Sequence, residues 1–74
     1  MKLNQLQILD AIVQSASLSG AALKLHKTQP ALTLAIKNLE SKLGFDLLDR
    51  SKYRLQLTEK GRIFHREAKH LLTA

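Results

Sequence analysis

The sequence lacks cysteine and has few aromatic residues: two Phe, one Tyr and no Trp. Without cysteine, the chain can form neither a disulfide framework nor a cysteine-ligated zinc finger. This absence is compatible with a reducing cytoplasm. Because aromatic residues are scarce, aliphatic side chains and alanine must form the core, which favours helices. A chain of 74 residues allows one small domain, which buries about 60–65% of the surface of the unfolded chain.

Long hydrophobic runs are also missing. No apolar stretch approaches the roughly 18–20 residues that a membrane-spanning helix requires. Asn4, Gln5, Gln7 and Asp10 interrupt the beginning of the chain, which therefore does not resemble a secretory signal. We expect a protein without a membrane partner.

The sequence contains no arrangement typical of an enzyme active site. A cysteine nucleophile, a glycine-rich phosphate loop and a paired carboxylate site are all absent. The histidines are His26, His65 and His70. His65 and His70 would lie about 140° apart around a helix, so they do not share a face that could bind a metal. We therefore expect neither catalysis nor a metal or cofactor in this domain.

Acidic residues are outnumbered by basic ones, with 6 Asp and Glu against 12 Lys and Arg, which gives a net charge of +6. The excess is uneven, because residues 1–48 hold 5 basic and 3 acidic side chains while residues 49–74 hold 7 and 3. A small basic domain indicates a polyanionic partner, with nucleic acid ahead of an anionic membrane surface. Charge alone leaves open a basic protein that has no such partner.

Residues 28–43 predict an amphipathic helix around which the chain is organised. Thr28 is a good N-cap, Pro30 suits the first turn, and Gly44 can end the helix in the left-handed conformation. One face is apolar and should pack in the core: Leu32, Ile36, Leu39 and Leu43. The opposite face carries no acid and can contact a partner: Pro30, Thr33, Leu34, Lys37 and Ser41.

Two further helices precede it. Residues 4–16 carry apolar side chains at helical spacing, and residues 18–26 predict a short second helix with Ser17 or Ser19 as its N-cap. A short helix, a tight turn and an amphipathic helix form a helix-turn-helix. Many small helical domains contain a similar pair, so that this feature alone does not establish DNA binding.

The hydrophobic period changes after Gly44. Residues 47–50 and 53–57 predict the two strands of a small hairpin, which must pack on the helices because an isolated hairpin is marginally stable in water. Its tip and outer face carry Arg50, Lys52 and Arg54. A basic hairpin in this place is typical of the wing of a winged helix-turn-helix domain.

A last helix is predicted from Glu59 to the end of the sequence, with Thr58 as its N-cap. Its apolar residues form a broad face: Ile63, Phe64, Ala68, Leu71 and Leu72. This face is larger than a small domain needs for its own core. We therefore expect it to contact a second copy of the chain, and we expect the helix to continue into a longer protein.

The order of these elements resembles the N-terminal winged helix-turn-helix domain of LysR-type transcriptional regulators. The resemblance extends over nearly the whole chain. The segment TQPALT at residues 28–33 is its most specific part, and LTEKG at residues 57–61 supports it independently. Other matching residues are Ala21-Ala22, Leu25-His26, Ile36, Leu39-Glu40, Leu43-Gly44, Leu47-Leu48 and Arg50.

This resemblance implies a fold that is mainly α-helical with a small β-hairpin: a three-helix core, a two-stranded wing and a long C-terminal linker helix. Residues 1–58 would form the DNA-binding domain and residues 59–74 the start of the linker and dimerisation helix. The intact protein would be a cytoplasmic, nucleoid-associated bacterial regulator that binds double-stranded DNA as a homodimer, which can pair into a tetramer. A C-terminal effector domain outside this chain would bind a small molecule.

The resemblance also implies which residues face the DNA. The third helix would lie in the major groove with Thr28, Gln29, Pro30 and Thr33 at the bases. A Gln amide can donate to and accept from adenine at once, so that Gln29 is the best candidate for direct readout. Lys37, one turn further along, suits a phosphate or guanine. We expect contacts with the DNA backbone from Ser19 and Lys27. The wing residues Arg50, Lys52 and Arg54 would contact phosphates or the flanking minor groove.

Leu34 departs from the family, in which this position is often Arg. A leucine cannot pair with guanine or phosphate, but it can contact the methyl group of thymine. Alternatively, Leu34 lies near the DNA backbone or packs on Lys37.

A protein-interaction module that dimerises through its last helix is the competing interpretation of the whole chain. The basic hairpin and the TQPALT segment argue against it. Salt distinguishes the two, because DNA binding weakens steeply as salt rises and an apolar helix contact does not.

Overall fold

The computed structural model describes residues 3–51 and 55–73. It contains three helices, α1 (Leu3–Ser15), α2 (Leu18–Leu25) and α3 (Gln29–Leu43), then a two-stranded hairpin, and then helix α4 (Glu59–Thr73). The hairpin strands are β1 (Leu48–Asp49) and β2 (Gln56–Leu57), which pair antiparallel with Leu48 opposite Leu57. The predicted fold class and order of elements are confirmed. None of the described helices is long and apolar enough to cross a membrane.

Helix α1 lies at the centre of the core and packs against α2, α3 and α4. Leu9 and Ile12 of this helix are fully buried, together with Leu32, Ile36 and Leu39 of α3. Burial of each such side chain stabilises the fold by about 1.5–3 kcal/mol. The apolar face predicted for α3 is therefore the face that packs on α1, and this fixes which side of α3 remains exposed.

Helices α2 and α3 are each capped at both ends, and a short turn joins them. Ser17 is the N-cap of α2, and its hydroxyl accepts a hydrogen bond from the Gly20 backbone N–H at 3.0 Å. At the other end His26 takes the left-handed conformation with φ of 57°, which ends α2 one residue earlier than predicted. Thr28 then caps α3 by accepting from the Ala31 N–H, and Gly44 ends it at φ of 81°.

The hairpin is shorter than predicted among the described residues, with two residues in each strand. Leu47, which we predicted in the first strand, lies before β1 and is fully buried in the core. Asp49 accepts hydrogen bonds from the Ser51 backbone N–H and hydroxyl, which turns the chain at the end of β1. Leu55 and Leu57 pack against the core as expected, whereas Tyr53 lies outside the described residues.

Helix α4 uses part of its apolar face within the domain and leaves part of it exposed. Ala68 is buried, and Phe64 packs edge-on against Phe45 with ring centroids 6.4 Å apart. Ile63 and Leu71 remain exposed, and Leu72 is half-buried. Helical spacing shows that a face is apolar but not which neighbour covers it, so the contact of this face with a second copy stays a prediction.

One polar contact fixes α4 against α1. The His65 Nε2 atom lies 2.9 Å from Asp10 Oδ1, and both side chains are largely buried. Together with the packing of Ala68 and Phe64, this contact orients α4 relative to the helix-turn-helix.

Candidate nucleic-acid interface

The exposed face of α3 forms one shallow groove that is lined by Gln29, Pro30, Thr33, Leu34 and Lys37. Four of these residues are exposed, and Thr33 is half-buried. They share this face because the opposite side of α3 is buried against α1. The structure thus brings together five of the six residues that we predicted at the bases.

Thr28, the sixth residue, lies at the beginning of the same helix and has a structural task. Its side-chain oxygen accepts from the Ala31 N–H at 3.3 Å, so that it caps α3. Thr28 is exposed, and its hydroxyl hydrogen can still be donated to a partner. Capping and contact with DNA are therefore compatible at this position.

A second hollow continues the groove toward the hairpin. Lys37 and Arg50 both line it, and Glu40 and Asp46 lie between them. Lys37 lines both the groove and the hollow. Its side chain and that of Arg50, the first cation of the wing, therefore face the same space. Lys52 and Arg54, the other predicted wing contacts, lie outside the described residues.

The two remaining predicted backbone contacts are accessible. Ser19 is exposed in the first turn of α2, where Ser17 takes the capping role. Lys27 is exposed in the turn between α2 and α3. Lys27 lies next to the beginning of α3, and Ser19 lies at the opposite end of α2.

Glu40 was missed as a functional residue, because we read it only as part of the family motif. It is the one acid of α3, and its carboxylate turns back toward the protein. Glu40 Oε2 accepts from the backbone N–H groups of Leu47, at 2.7 Å, and Leu48, at 3.2 Å. The sequence did contain a signal for Glu40, because an acid is unfavourable in a helix that is expected to face DNA.

No metal centre is formed by residues 3–51 and 55–73, since no three His, Asp or Glu side chains come together there. His65 is paired with Asp10, and His26 ends α2 in the exposed turn.

Comparison with known proteins identifies the family. Residues 3–62 match the model of the bacterial regulatory helix-turn-helix proteins of the lysR family. The chain is 44% identical over 70 residues to a probable RuBisCO transcriptional regulator of Cyanidioschyzon merolae, which covers 95% of this chain and 23% of that protein. It is 43% identical over 72 residues to the HTH-type transcriptional regulator CfxR of Cupriavidus necator, covering 96% and 23%. The chain thus spans about a quarter of the length of these relatives.

Solved structures agree with this assignment. The BenM DNA-binding domain in complex with catB site 1 DNA superimposes with a TM-score of 0.95 at 38% identity, covering 99% of this chain and 78% of that one. The CbnR DNA-binding domain in complex with DNA gives a TM-score of 0.91 at 34% identity, covering 99% and 84%. The chain therefore belongs to the LysR family of bacterial regulatory helix-turn-helix proteins.

Proposed function

We propose that this domain binds double-stranded DNA in a sequence-specific manner, with α3 in the major groove and the hairpin wing against the flanking minor groove or backbone. The observation that carries the proposal is the convergence of Gln29, Thr33, Leu34 and Lys37 on one exposed groove of α3. An α-helix with such side chains fits the major groove, whose base edges display a distinct pattern of donors and acceptors. BenM and CbnR domains of the same fold, crystallised with DNA, support this.

The side chains of the groove suggest distinct roles. The Gln29 amide suits the N6 and N7 atoms of adenine, and Lys37 suits guanine or a phosphate. Thr28 and Thr33 can bond base edges or phosphates. Pro30 presents an apolar surface to the bases. Leu34 is exposed beside Lys37 and offers a methyl-binding surface to thymine.

Affinity that does not depend on sequence would come from contacts with phosphates. Arg50 and Lys37 share one hollow, Lys27 is exposed next to the beginning of α3, and Ser19 is exposed in the first turn of α2. From the sequence, Lys52 and Arg54 would extend this set along the wing. Such contacts set register and salt dependence, whereas base contacts set sequence preference.

We further propose that the domain acts as a homodimer through α4. Ile63 and Leu71 are half or more exposed on this helix, at 50% and 68%, and would bury their side chains against a second copy together with Leu72. Phe64 and Ala68 would support the contact from within the domain. Pairing of dimers into a tetramer would belong to the intact protein.

The remaining roles follow from membership of the family. We assign no catalysis and no cofactor to this domain, and we place a small-molecule effector in the C-terminal domain that the family resemblance implies. A regulator of this class would work in the bacterial cytoplasm, at the nucleoid.

Salt dependence distinguishes this proposal from a protein-interaction module, which the exposed Ile63 and Leu71 would otherwise favour. We expect the affinity for a labelled random duplex to fall steeply with salt, with a slope of logarithmic affinity of about −0.9 for each phosphate contacted. Anisotropy titrations at a series of salt concentrations measure that slope. Self-association that persists while duplex binding is absent at low salt would support the interaction module instead.

A further inference from the structure

Glu40 lies in a position that is unfavourable for DNA binding unless it has another task. It is the one acid of α3, and it lines the same hollow as Lys37 and Arg50. A carboxylate there repels the phosphates that the two cations would attract. The domain holds 6 acidic residues against 12 basic ones. An acid at this site therefore calls for a favourable contact that offsets the repulsion of the phosphates.

The compensating contact is a pair of hydrogen bonds to the first residues of the hairpin. The same carboxylate oxygen accepts from the N–H groups of Leu47, at 2.7 Å, and Leu48, at 3.2 Å. Both of these residues are buried, so their N–H groups need a partner within the protein. Hydrogen bonds to an ionised acceptor are stronger than neutral ones. Glu40 thus joins the last third of α3 to the beginning of β1.

The opposite side of this segment is bonded to the beginning of α4. The Thr58 N–H donates to the Leu47 carbonyl at 2.9 Å, and the Thr58 hydroxyl donates to the Asp46 carbonyl at 2.6 Å. The Gly61 N–H in turn donates to the Thr58 hydroxyl oxygen at 2.9 Å. Residues 46–48 are therefore held by hydrogen bonds from two directions. Thr58, directly before α4, makes one set, and Glu40 of α3 makes the other.

We propose that Glu40 is a positioning residue for DNA binding, which holds the wing cation Arg50 at a set distance from the major-groove face of α3. Arg50 follows β1 directly and lies two residues beyond the Leu48 N–H that Glu40 binds. Loss of these bonds would leave Arg50 free to move relative to Lys37. A phosphate contact that depends on Arg50 would then weaken, although Glu40 itself touches no DNA.

Glu40→Gln and Glu40→Ala form a matched pair that separates charge from position. Both remove the negative charge, but the Gln carbonyl oxygen can still accept from Leu47 and Leu48. With a random duplex as probe, we expect Glu40→Ala to weaken binding roughly three- to tenfold and to flatten the salt slope by about one unit, as for one lost phosphate contact. Glu40→Gln should bind at least as tightly as the wild type, with an unchanged slope.

Arg50→Ala and the double variant Glu40→Ala/Arg50→Ala complete a double-mutant cycle for binding affinity. Because Glu40 is proposed to act through Arg50, the double variant should lose no more than the greater single loss. Equal binding by the Ala and Gln variants, or losses that add in the double variant, would overturn the proposal. The inference rests on the proposed wing contact, and an unchanged slope in Arg50→Ala would refute that contact and the coupling with it.

Amide hydrogen exchange in the free domain tests the contact itself. The Leu47 and Leu48 amides should exchange faster in Glu40→Ala than in Glu40→Gln, and equal rates would overturn the proposal. Should Glu40→Ala not fold, Glu40→Asp serves instead, since it keeps the charge but shortens the side chain. We expect this variant to flatten the salt slope, and an unchanged slope would overturn the proposal.

Discussion

Leu34 is an apolar side chain on the exposed face of α3. It is 61% exposed and lines the groove beside Gln29 and Lys37. The groove therefore pairs one amide and one ammonium group with an apolar surface. At the scale of single residues, we expect Gln29 and Leu34 to favour adenine and thymine at the positions that they contact, whereas Lys37 suits guanine or a phosphate.

Replacing thymine by deoxyuridine, one position at a time in a duplex that the domain selects, tests this role of Leu34. Burial of one methyl group is worth about 0.8 kcal/mol, which corresponds to about a fourfold change in affinity. We expect the replacement at one such position to weaken binding by the wild type by about this factor. The same replacement should leave binding by Leu34→Ala unchanged.

Leu23→Ala is the matched control, since Leu23 is the leucine of α2 that is 80% exposed and it does not line the groove. This variant should keep the sensitivity of the wild type to deoxyuridine. If Leu34→Ala keeps it as well, the leucine lies near the DNA backbone or packs on Lys37, and the methyl contact is wrong.

At the scale of elements, the four helices and the hairpin follow from local signals, whereas the ends of the strands do not. The caps at Thr28 and Gly44 and the apolar spacing between them define α3 without reference to the rest of the chain. Leu47 lies before the strand predicted for it, and Ala68 is buried within the domain, because both positions depend on contacts with other elements. Glu40 escaped notice for the same reason, since its partners lie seven and eight residues away on another element.

Gly61 shows how closely α4 approaches the segment before β1. A Cβ atom at this position would lie 2.4 Å from the Leu47 carbonyl oxygen, so the backbone would have to shift. In an open helix the change from Gly to Ala stabilises by about 1 kcal/mol. Here we expect Gly61→Ala to destabilise the domain by about 1–3 kcal/mol instead, measured by urea unfolding.

Gly20→Ala in α2 provides the comparison for this experiment. Its Cβ would lie 2.8 Å from the Ser17 hydroxyl oxygen, which belongs to a side chain that can rotate. We expect a smaller loss there, limited to the contribution of the N-cap, about 1 kcal/mol. A Gly61→Ala domain as stable as the wild type would contradict the close packing of α4 on residues 46–48.

At the scale of the whole molecule, the surface that we propose for DNA and the surface that we propose for a second copy lie on different elements. Lys27, Lys37 and Arg50 are exposed around α3 and the wing, whereas Ile63 and Leu71 are exposed on α4. This separation allows one surface to bind DNA while the other binds a second copy. Two copies related by a two-fold axis would present two α3 helices to the DNA, so that the preferred site should consist of two related halves.

The most direct test of this account is selection of bound sequences from a random duplex pool at moderate salt. We predict an enriched motif with two-fold-related half-sites that contain adenine and thymine, and we predict that Gln29→Ala loses the enrichment at one adenine position in each half. Salt-sensitive binding without any enriched motif would contradict the account. It would mean that this chain provides phosphate contacts but not the sequence preference that we assign to α3.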